Sequence, residues 1–271
     1  MRRVIKAQEP LVEISRGVLR GIVLENRDGG SFYGFCRIPY AHPPVNELRF
    51  KAPVPADGWE DILDAANAPP VCTQYILRFP GLIFGQEDCL YLNVFIPEKP
   101  VMVYIHGVGF ISGDITGSLA GPAFLMTKEV ILITIQYKLG VFDFINFEDP
   151  ELGVPCNAGM KNQDLELKWV KENIADFGGD PDHILIFGTI AESMSVHLHM
   201  LSRISAELFN KVIGQSGVAL APSLTGGDGS NTGVAFAEHL GIQTDNLAET
   251  LNSLRDLSAS SLSTSEEGKR D

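Results

Sequence analysis

The sequence is poor in cysteine, poor in basic residues and free of long apolar runs. Its 271 residues include four cysteines, at positions 36, 72, 89 and 156, and no two of them have the CxxC spacing of a zinc or redox site. Lysine and arginine number 21 against 34 aspartates and glutamates, so the formal net charge is −13. A surface this acidic repels phosphates, and we expect no nucleic-acid partner. Since no apolar run approaches the roughly 18 residues of a membrane span, we also expect no transmembrane segment.

The first six residues, Met-Arg-Arg-Val-Ile-Lys, are basic, as at the start of a signal peptide. Charged and polar residues return, however, before an apolar stretch develops. We therefore expect a cytoplasmic protein. An upstream exon outside this sequence would change that expectation to a secreted protein.

What is present is the composition of a globular protein with a large core, 45% hydrophobic and 20% charged. Short β-like runs separated by proline and glycine, at 11–14, 19–24 and 90–96, predict an antiparallel sheet in the first hundred residues. Short apolar runs at about 101–105, 130–136 and 184–187 then alternate with helix-length segments and predict parallel strands. A fourth parallel strand is expected at about 211–215. Because apolar residues recur at helical spacing over 161–177 between these runs, the fold class is α/β.

The pattern weakens after residue 217. Residues 223–233 are rich in Gly, Ser, Thr and Asn and predict a linker, and 234–257 predict one or two amphipathic helices. The polar, serine-rich residues 258–271 predict a disordered tail. We therefore divide the chain into a domain at 1–257 and a tail at 258–271.

Two loops that follow predicted strands are candidates for chemistry, since ligands of open α/β sheets bind beyond the carboxyl ends of strands. The first is His106-Gly107-Val108-Gly109-Phe110, a glycine-rich turn that can direct backbone N–H groups at one point, as an oxyanion hole does. The second, at 187–193, is a strand-to-helix turn in the position of a nucleophile elbow.

Six separated stretches resemble the type-B carboxylesterase and cholinesterase family, most closely its insect α-esterase branch. Among them are GQEDCLYLNVFIP, VMVYIHGVGFISGD, QYKLGVFDF and SVHLHMLS. The resemblance runs from about residue 10 to about residue 257 in the family's order. It implies an α/β-hydrolase fold and, in active members, ester hydrolysis by a Ser-Glu-His triad without a cofactor. The length, about the N-terminal half of the family's, implies a truncated sheet without its C-terminal strands.

The resemblance places Ile190 where the family has its nucleophilic serine. The family's elbow reads Gly-Glu-Ser-Ala-Gly, whereas this chain has Gly188-Thr189-Ile190-Ala191-Glu192. An alkyl side chain has no lone pair with which to attack a carbonyl, so we expect no covalent catalysis at Ile190. The apex of such an elbow has a positive φ, which is costly for a β-branched residue, and we expect the turn to have relaxed.

The family's oxyanion donors correspond to Val108, Gly109 and Ala191. The Val108 N–H is retained, but its isopropyl group replaces a glycine and should crowd the place of an acyl oxygen, so we expect a malformed hole. Ser193, three residues past the apex, and Ser195 are expected to pack or cap rather than to react. His197 and His199 point about 200° apart on a helix, so they cannot share a metal ion, and we expect no metal site.

Structural pairs of the family are conserved in part. Arg49 and Glu87 match a salt bridge of the first domain. A second family pair, an Arg after a strand and an Asp in the next helix, is replaced by Lys138 and Asn162, which predicts an uncompensated buried charge costing about 3–5 kcal/mol.

Two cysteines also follow the family. Cys72 and Cys89 match its first disulfide; exported protein would pair them and leave Cys36 and Cys156 free, whereas in a reducing cytosol they would be thiols.

Three functions remain at this point. The first is an active esterase, which Ile190 opposes, as does the end of the chain before the positions of the family's acid and histidine. The second is an inactive esterase-like protein that binds apolar esters, other lipophilic small molecules or a protein partner. The third is a truncated, degraded gene product. In either of the last two, we expect self-association through an exposed sheet edge.

Overall fold

The computed structural model describes residues 9–76, 82–97, 100–117, 121–221 and 231–264. Within them, twelve strands are formed: β1 (Leu11–Ile14), β2 (Gly17–Arg20), β3 (Ile22–Glu25), β4 (Ser31–Pro39), β5 (Leu63–Asp64), β6 (Gln74–Tyr75), β7 (Ile83–Phe84), β8 (Tyr91–Ile96), β9 (Val101–Ile105), β10 (Ile131–Ile135), β11 (Ile184–Thr189) and β12 (Lys211–Gln215). Seven of them form one sheet in the spatial order β12-β11-β9-β10-β8-β4-β3. Strands β1, β2 and β5 form a second sheet, and β6 pairs with β7.

The four predicted parallel strands form one half of the large sheet. Strand β9 pairs in parallel with β10 and β11, and β11 pairs in parallel with β12. Every residue of β10 is buried, as expected for a strand covered on both faces. The predicted α/β fold is thus confirmed.

The antiparallel half begins at β8, which pairs with both β10 and β4. The run predicted at 19–24 is divided by Gly21 into β2 and β3, which belong to different sheets. Gly21 permits this because a Cβ there would lie 2.5 Å from the Gly34 carbonyl oxygen. Strand β4, which the sequence did not predict, has an irregular register between Phe35 and Ile38.

Six α-helices occur in the described residues: α1 (Val141–Phe144), α2 (Ala158–Asn173), α3 (Ala191–Leu201), α4 (Thr232–His239), α5 (Leu247–Asp256) and α6 (Ala259–Thr264). Helix α2 carries the predicted apolar face, with Leu167, Trp169 and Val170 buried in the main core beside the sheet. A 3₁₀ turn, Ile174–Phe177, continues it and ends at Gly178, whose φ of 87° is the left-handed conformation that glycine favours at helix ends.

The C-terminal helices close a second core. Phe236, Leu251, Leu254 and Leu262 pack with Phe50 and other buried side chains there. The disordered tail predicted at 258–271 is therefore wrong for 259–264, which form α6. Ser258 supports this helix, because its Oγ accepts the Ser261 N–H at 3.1 Å, and Leu262 is fully buried. Residues 265–271, and most of the predicted linker at 223–233, lie outside the described residues.

Cys72 and Cys89 form the disulfide that the resemblance implies, and Cys36 and Cys156 are free. Among the described helices, none has the length and apolar character needed to cross a bilayer. The described residues also hold no group of three or more His, Cys, Asp and Glu side chains that could bind a metal ion.

Candidate functional site

The strand-to-helix turn after β11 retains the geometry of a nucleophile elbow. Ile190, between the end of β11 and the start of α3, has φ 61° and ψ −111° and is 58% exposed. The predicted relaxation of this turn is wrong. Neighbouring backbone fixes the apex, since the Ile190 N–H donates to the Gln215 carbonyl at 2.7 Å and the Ile190 carbonyl accepts the Met194 N–H at 3.1 Å. A Cβ at Gly217 would overlap the Ile190 carbonyl oxygen, so close packing holds the turn as well.

Glu192 lies below this turn, in the first turn of α3, and is only 2% exposed. Its side chain packs on Gly188, where any Cβ would overlap the Glu192 Cβ. Burial raises the pKa of the Glu192 carboxyl to about 7. Glu192 Oε2 and the nearby hydroxyl of Tyr137 both lack a hydrogen-bond partner within the described part of the chain. A Cβ at Gly107 would lie 3.1 Å from Glu192 Oε1, so the site has a weakly acidic carboxyl beside the start of the glycine-rich loop.

The glycine-rich loop after β9 is folded back on itself. The Val108 N–H donates to the Ser112 carbonyl at 2.6 Å, so this predicted oxyanion donor is used inside the loop. Gly109 and Phe110 follow with φ of 65° and 63°, and the Val108 side chain is 47% exposed. The Ala191 N–H, in the first residue of α3, is the remaining predicted donor on the elbow side. A valine thus projects from the loop where the resemblance implies an acyl oxygen.

His106, at the start of this loop, is buried and stacked on Tyr137 with ring centroids 4.9 Å apart. Burial lowers the His106 pKa to about 4, so its imidazole is neutral at neutral pH. A neutral ring enclosed in this way cannot reach a substrate as a general base without opening the loop.

The two serines near the apex are occupied by structural contacts. The Ser193 hydroxyl donates to the Gly217 carbonyl at 2.7 Å, and Ser193 is 1% exposed. Ser195 is fully buried and accepts the Gln163 side-chain amide at 3.3 Å. Both contacts agree with the expectation that these serines pack rather than react.

His197 and His199 lie apart, with separate partners. The His197 Nδ1 accepts the Ala219 N–H at 3.0 Å. The buried His199 ring contacts the Ser205 hydroxyl at 2.9 Å and the Gln163 side chain at 3.0 Å, and burial lowers its pKa to about 4. Ser205 in turn donates to Asp164 at 3.1 Å. Sequence reasoning missed this buried network, because its members come from two helices and a loop.

The expected uncompensated charge at Lys138 is absent, and that prediction is wrong. The Lys138 ammonium lies 3.0 Å from a carboxylate oxygen of Asp143, in α1, and both side chains are almost fully buried. Asn162 donates its side-chain amide to both carboxylate oxygens of Asp143, at 3.0 and 2.8 Å. The carboxylate therefore comes from α1, while position 162 supplies hydrogen bonds to it. One sequence signal was available, since Asp143 lies between two phenylalanines.

The other pair, Arg49 and Glu87, is in contact. The guanidinium and the carboxylate are joined by two hydrogen bonds, of 2.6 and 2.5 Å. The Arg49 Nη1 also donates to the Arg255 and Leu257 carbonyls, at 2.7 and 2.6 Å. This guanidinium thus connects the disulfide region with the end of α5.

A positive-φ apex between a parallel strand and a helix, beside a glycine-rich loop that ends the neighbouring strand, defines an α/β-hydrolase-type site. Residues 8–270 match the model of the carboxylesterase family. The chain belongs to this family.

Individual relatives agree with that assignment. The chain is 40% identical over 259 residues to a carboxylic ester hydrolase of Bombus ignitus, covering 92% of this chain and 46% of that protein. It is 43% identical over 219 residues to a juvenile hormone esterase of Tribolium castaneum, covering 78% and 37%. The crystal structure of Manduca sexta juvenile hormone esterase with OTFP covalently attached superposes with a TM-score of 0.85 at 31% identity, covering 96% of this chain and 51% of that one. The chain thus spans about half the length of these relatives or less.

Proposed function

We propose that this carboxylesterase-family chain does not hydrolyse esters, and that it binds apolar esters or other lipophilic small molecules without turning them over. The observation that carries the proposal is Ile190 at the apex of the elbow. Acyl transfer at this position needs an oxygen or sulfur nucleophile, and a sec-butyl group supplies neither. The retained positive φ directs that inert side chain into the space where the reaction would take place.

The loop opposite supports the same function. Because the Val108 N–H donates to Ser112, the loop offers a substrate oxygen less stabilisation than an oxyanion hole would. Val108 and Ile190 are both about half exposed, and together they present apolar surface at the site. Such a surface favours an uncharged ligand with an alkyl or aryl group.

The alternative of a degraded gene product is opposed by the pair at Lys138. A chain that decays at random loses a buried carboxylate without replacement. Here Asn162 stands where the resemblance implies an Asp, and Asp143 pairs with Lys138 instead. This replacement of one buried carboxylate by another favours a chain kept under selection for folding over a degraded gene product.

The first test is catalytic. We expect the 271-residue chain to leave an aryl acetate unhydrolysed and to remain unlabelled by an organophosphate, as read by intact-protein mass. Ile190→Ser should also remain inactive, because His197 and His199 have other partners and His106 is buried. Adding Val108→Gly and Glu192→Gly should give at most the roughly 10³–10⁴-fold acceleration over water that an oxyanion hole alone provides. Turnover of about 10 per second by Ile190→Ser would contradict this reasoning.

The second test is binding. A fluorescent long-chain aryl ester should bind and be recovered intact after incubation. Ile190→Lys should weaken binding at least tenfold, since it places a charge on the apolar surface. Ile62→Lys, at a position of similar exposure outside the site, is the matched control and should bind as the unaltered chain does. Equal binding by all three proteins would refute the proposed location.

We further propose that the protein is exposed to an oxidising compartment, the alternative to the cytoplasmic expectation. The Cys72–Cys89 disulfide supports this, because such bonds persist in oxidising surroundings and are reduced in the cytosol. Peptide mapping without reduction, on protein taken from its natural source, should join Cys72 to Cys89. Free thiols at both positions would favour the cytoplasm.

A further inference from the structure

A group of buried polar side chains lies beneath the glycine-rich loop, and the proposed function makes no use of it. Glu192, Tyr137 and His106 are each at most 2% exposed. Glu192 Oε2, the Tyr137 hydroxyl and both ring nitrogens of His106 have no hydrogen-bond partner within the described ranges. Buried polar atoms are nearly always paired, so an unpaired group beside a binding site indicates a role other than stability.

The loop rests directly on these side chains. A Cβ at Gly107 would lie 2.8 Å from the Tyr137 hydroxyl and 3.1 Å from Glu192 Oε1, so both side chains reach the underside of the loop. A Cβ at Gly113 would lie 2.7 Å from His106 Nδ1 and 3.0 Å from the Gly107 Cα. Because the closed loop is packed this tightly, the buried Glu192 carboxyl cannot be hydrated while the loop stays in place.

Within the part of the chain that the structure describes, the Glu192 carboxylate has no positively charged partner, since none of the ion pairs there includes it. The titratable side chains that act on it or on its neighbours are neutral or acidic: Tyr104, His106, Asp114, Tyr137, Asp143 and Glu166. Burial therefore favours the neutral carboxyl and raises its pKa to about 7, against a hydrogen bond from its own backbone. The ring of His106, with a pKa of about 4, stays neutral between pH 5 and 8 and does not contribute.

We propose that Glu192 controls the glycine-rich loop through its proton: residues 107–112 stay closed over the neutral carboxyl and open when it is ionised. The loop yields because α3 is fixed beneath it. Any Cβ at Gly188 would overlap the Glu192 Cβ, and the Ser193 hydroxyl donates to the Gly217 carbonyl at 2.7 Å. The tip of the loop, by contrast, is exposed at Val108 and Gly109.

Opening moves Val108 away from the elbow and breaks up the apolar surface to which it belongs. An ionised Glu192 should therefore release a bound lipophilic ligand. This consequence rests on the proposed function, whereas the movement of the loop does not.

The direction of the effect is set by the two states of the loop. Under the closed loop the Glu192 carboxyl has a pKa of about 7, and under the open loop, in contact with water, it returns to the ordinary value of 4.5. The ratio of open to closed molecules therefore rises about tenfold per pH unit between these values and levels off outside them. The whole change is about 300-fold at most.

Amide hydrogen exchange of the ligand-free chain measures this opening. The Gly113 N–H donates to Gln74 Oε1 and the Gly140 N–H donates to the Phe110 carbonyl, each at 2.8 Å, so both bonds break when the loop lifts. We expect the protection factors of these two amides, which correct for the intrinsic effect of pH, to fall at least tenfold from pH 5 to pH 8. They should also be lower than that of Ile133, at the centre of β10, whose exchange requires global unfolding. Equal protection at all three amides would overturn a local opening.

Three variants assign the effect to Glu192. In Glu192→Gln, and in the apolar Glu192→Met, the protection factors at Gly113 and Gly140 should not change with pH. Glu60→Gln removes an exposed carboxylate and is the matched control, which should behave as the unaltered chain does. Burial also raises the pKa of the Glu166 carboxyl, so an equal fall in both Glu192 variants would assign the effect to another acid and overturn the proposal.

Ligand release distinguishes control of the loop from binding itself. In stopped-flow fluorescence, a bound long-chain aryl ester should dissociate at least tenfold faster at pH 8 than at pH 5 from the unaltered chain, and at one rate from Glu192→Gln. A chain that binds no ester at either pH, yet shows the exchange effect, would refute the proposed function and support control of the loop. Ester binding with protection factors that do not vary with pH would do the reverse. A release rate independent of pH in a chain whose loop opens would overturn the coupling to the ligand.

Discussion

Replacing Asp143 by Asn tests whether this carboxylate holds the buried charge of Lys138. The Lys138 ammonium lies 3.0 Å from the Asp143 carboxylate, and the side chains are 5% and 0% exposed. With Asp143 neutral, the ammonium keeps its carbonyl contact to Lys51 at 3.3 Å but loses its carboxylate partner. Breaking a pair buried to this degree costs about 3–5 kcal/mol, and we expect that loss in the free energy of unfolding.

The exchange with position 162 makes the prediction specific. Asn162→Asp alone brings a second carboxylate within 3 Å of the first, and like charges at that distance should cost about 2 kcal/mol or more. The double variant, Asp143→Asn with Asn162→Asp, restores one ammonium, one carboxylate and one amide with two positions exchanged. We expect it to be destabilised by no more than about 2 kcal/mol, a favourable coupling of about 3 kcal/mol or more between the two sites.

Urea denaturation at pH 7, followed by circular dichroism and fluorescence, measures all four proteins. The control is Asp182→Asn, which breaks an ion pair between Lys171 and a carboxylate that is 81% exposed, and should cost less than about 1 kcal/mol. A cost below 1 kcal/mol for Asp143→Asn, or additive effects in the double variant, would show that Asp143 does not carry the buried charge.

Two further predictions concern the elbow. A positive φ at position 190 costs a β-branched residue about 1–3 kcal/mol, and glycine adopts it without that strain. Ile190→Gly should therefore be less destabilising than Ile62→Gly by about 1–3 kcal/mol. Ile62 is half exposed and has no positive φ, and equal losses in urea denaturation would indicate that the apex is unstrained. Glu192 has a pKa of about 7 in the folded protein, above its ordinary value of 4.5. Between these two pH values the folded state binds a proton that the unfolded state has lost. The free energy of unfolding therefore falls as pH rises from about 4.5 through 7. Glu192→Gln should be more stable relative to the unaltered chain at pH 8 than at pH 5, by about 3 kcal/mol at most, and a difference that does not change with pH would contradict the raised pKa.

The sequence predicted the parts of the fold that depend on continuous patterns. Strands β9, β10 and β11 were found because each lies in a short apolar run, and α2 because its apolar residues recur at helical spacing. Strand β4 was missed because glycine, arginine and a bulge interrupt it. Helix α6 was missed because its serines suggested disorder, whereas one leucine buried in the second core orders it.

The sequence predicted those features of the candidate site that depend on the identity of one residue. It missed those that depend on which residues contact each other in the fold. Ile190 lies at the apex of the turn, where the resemblance placed it. The ion pair of Asp143, the Ser112 contact of Val108 and the network at His199 join segments that only the fold brings together. A single sequence gives no measure of those distances, so it overestimated the damage at Lys138 and predicted that the elbow had relaxed.

The four contacts of Arg49 have a consequence for how the chain unfolds. Its guanidinium binds Glu87, two positions before the disulfide half Cys89, and the two carbonyls at the end of α5. Separating the C-terminal helices from the rest of the molecule would leave those carbonyls unpaired and expose the second core. Local opening of α5 should therefore be suppressed, and its amide protons should exchange with solvent in the same cooperative event as those of the segment around Glu87. Hydrogen exchange would then reveal a single folding unit made from segments about 170 residues apart in sequence.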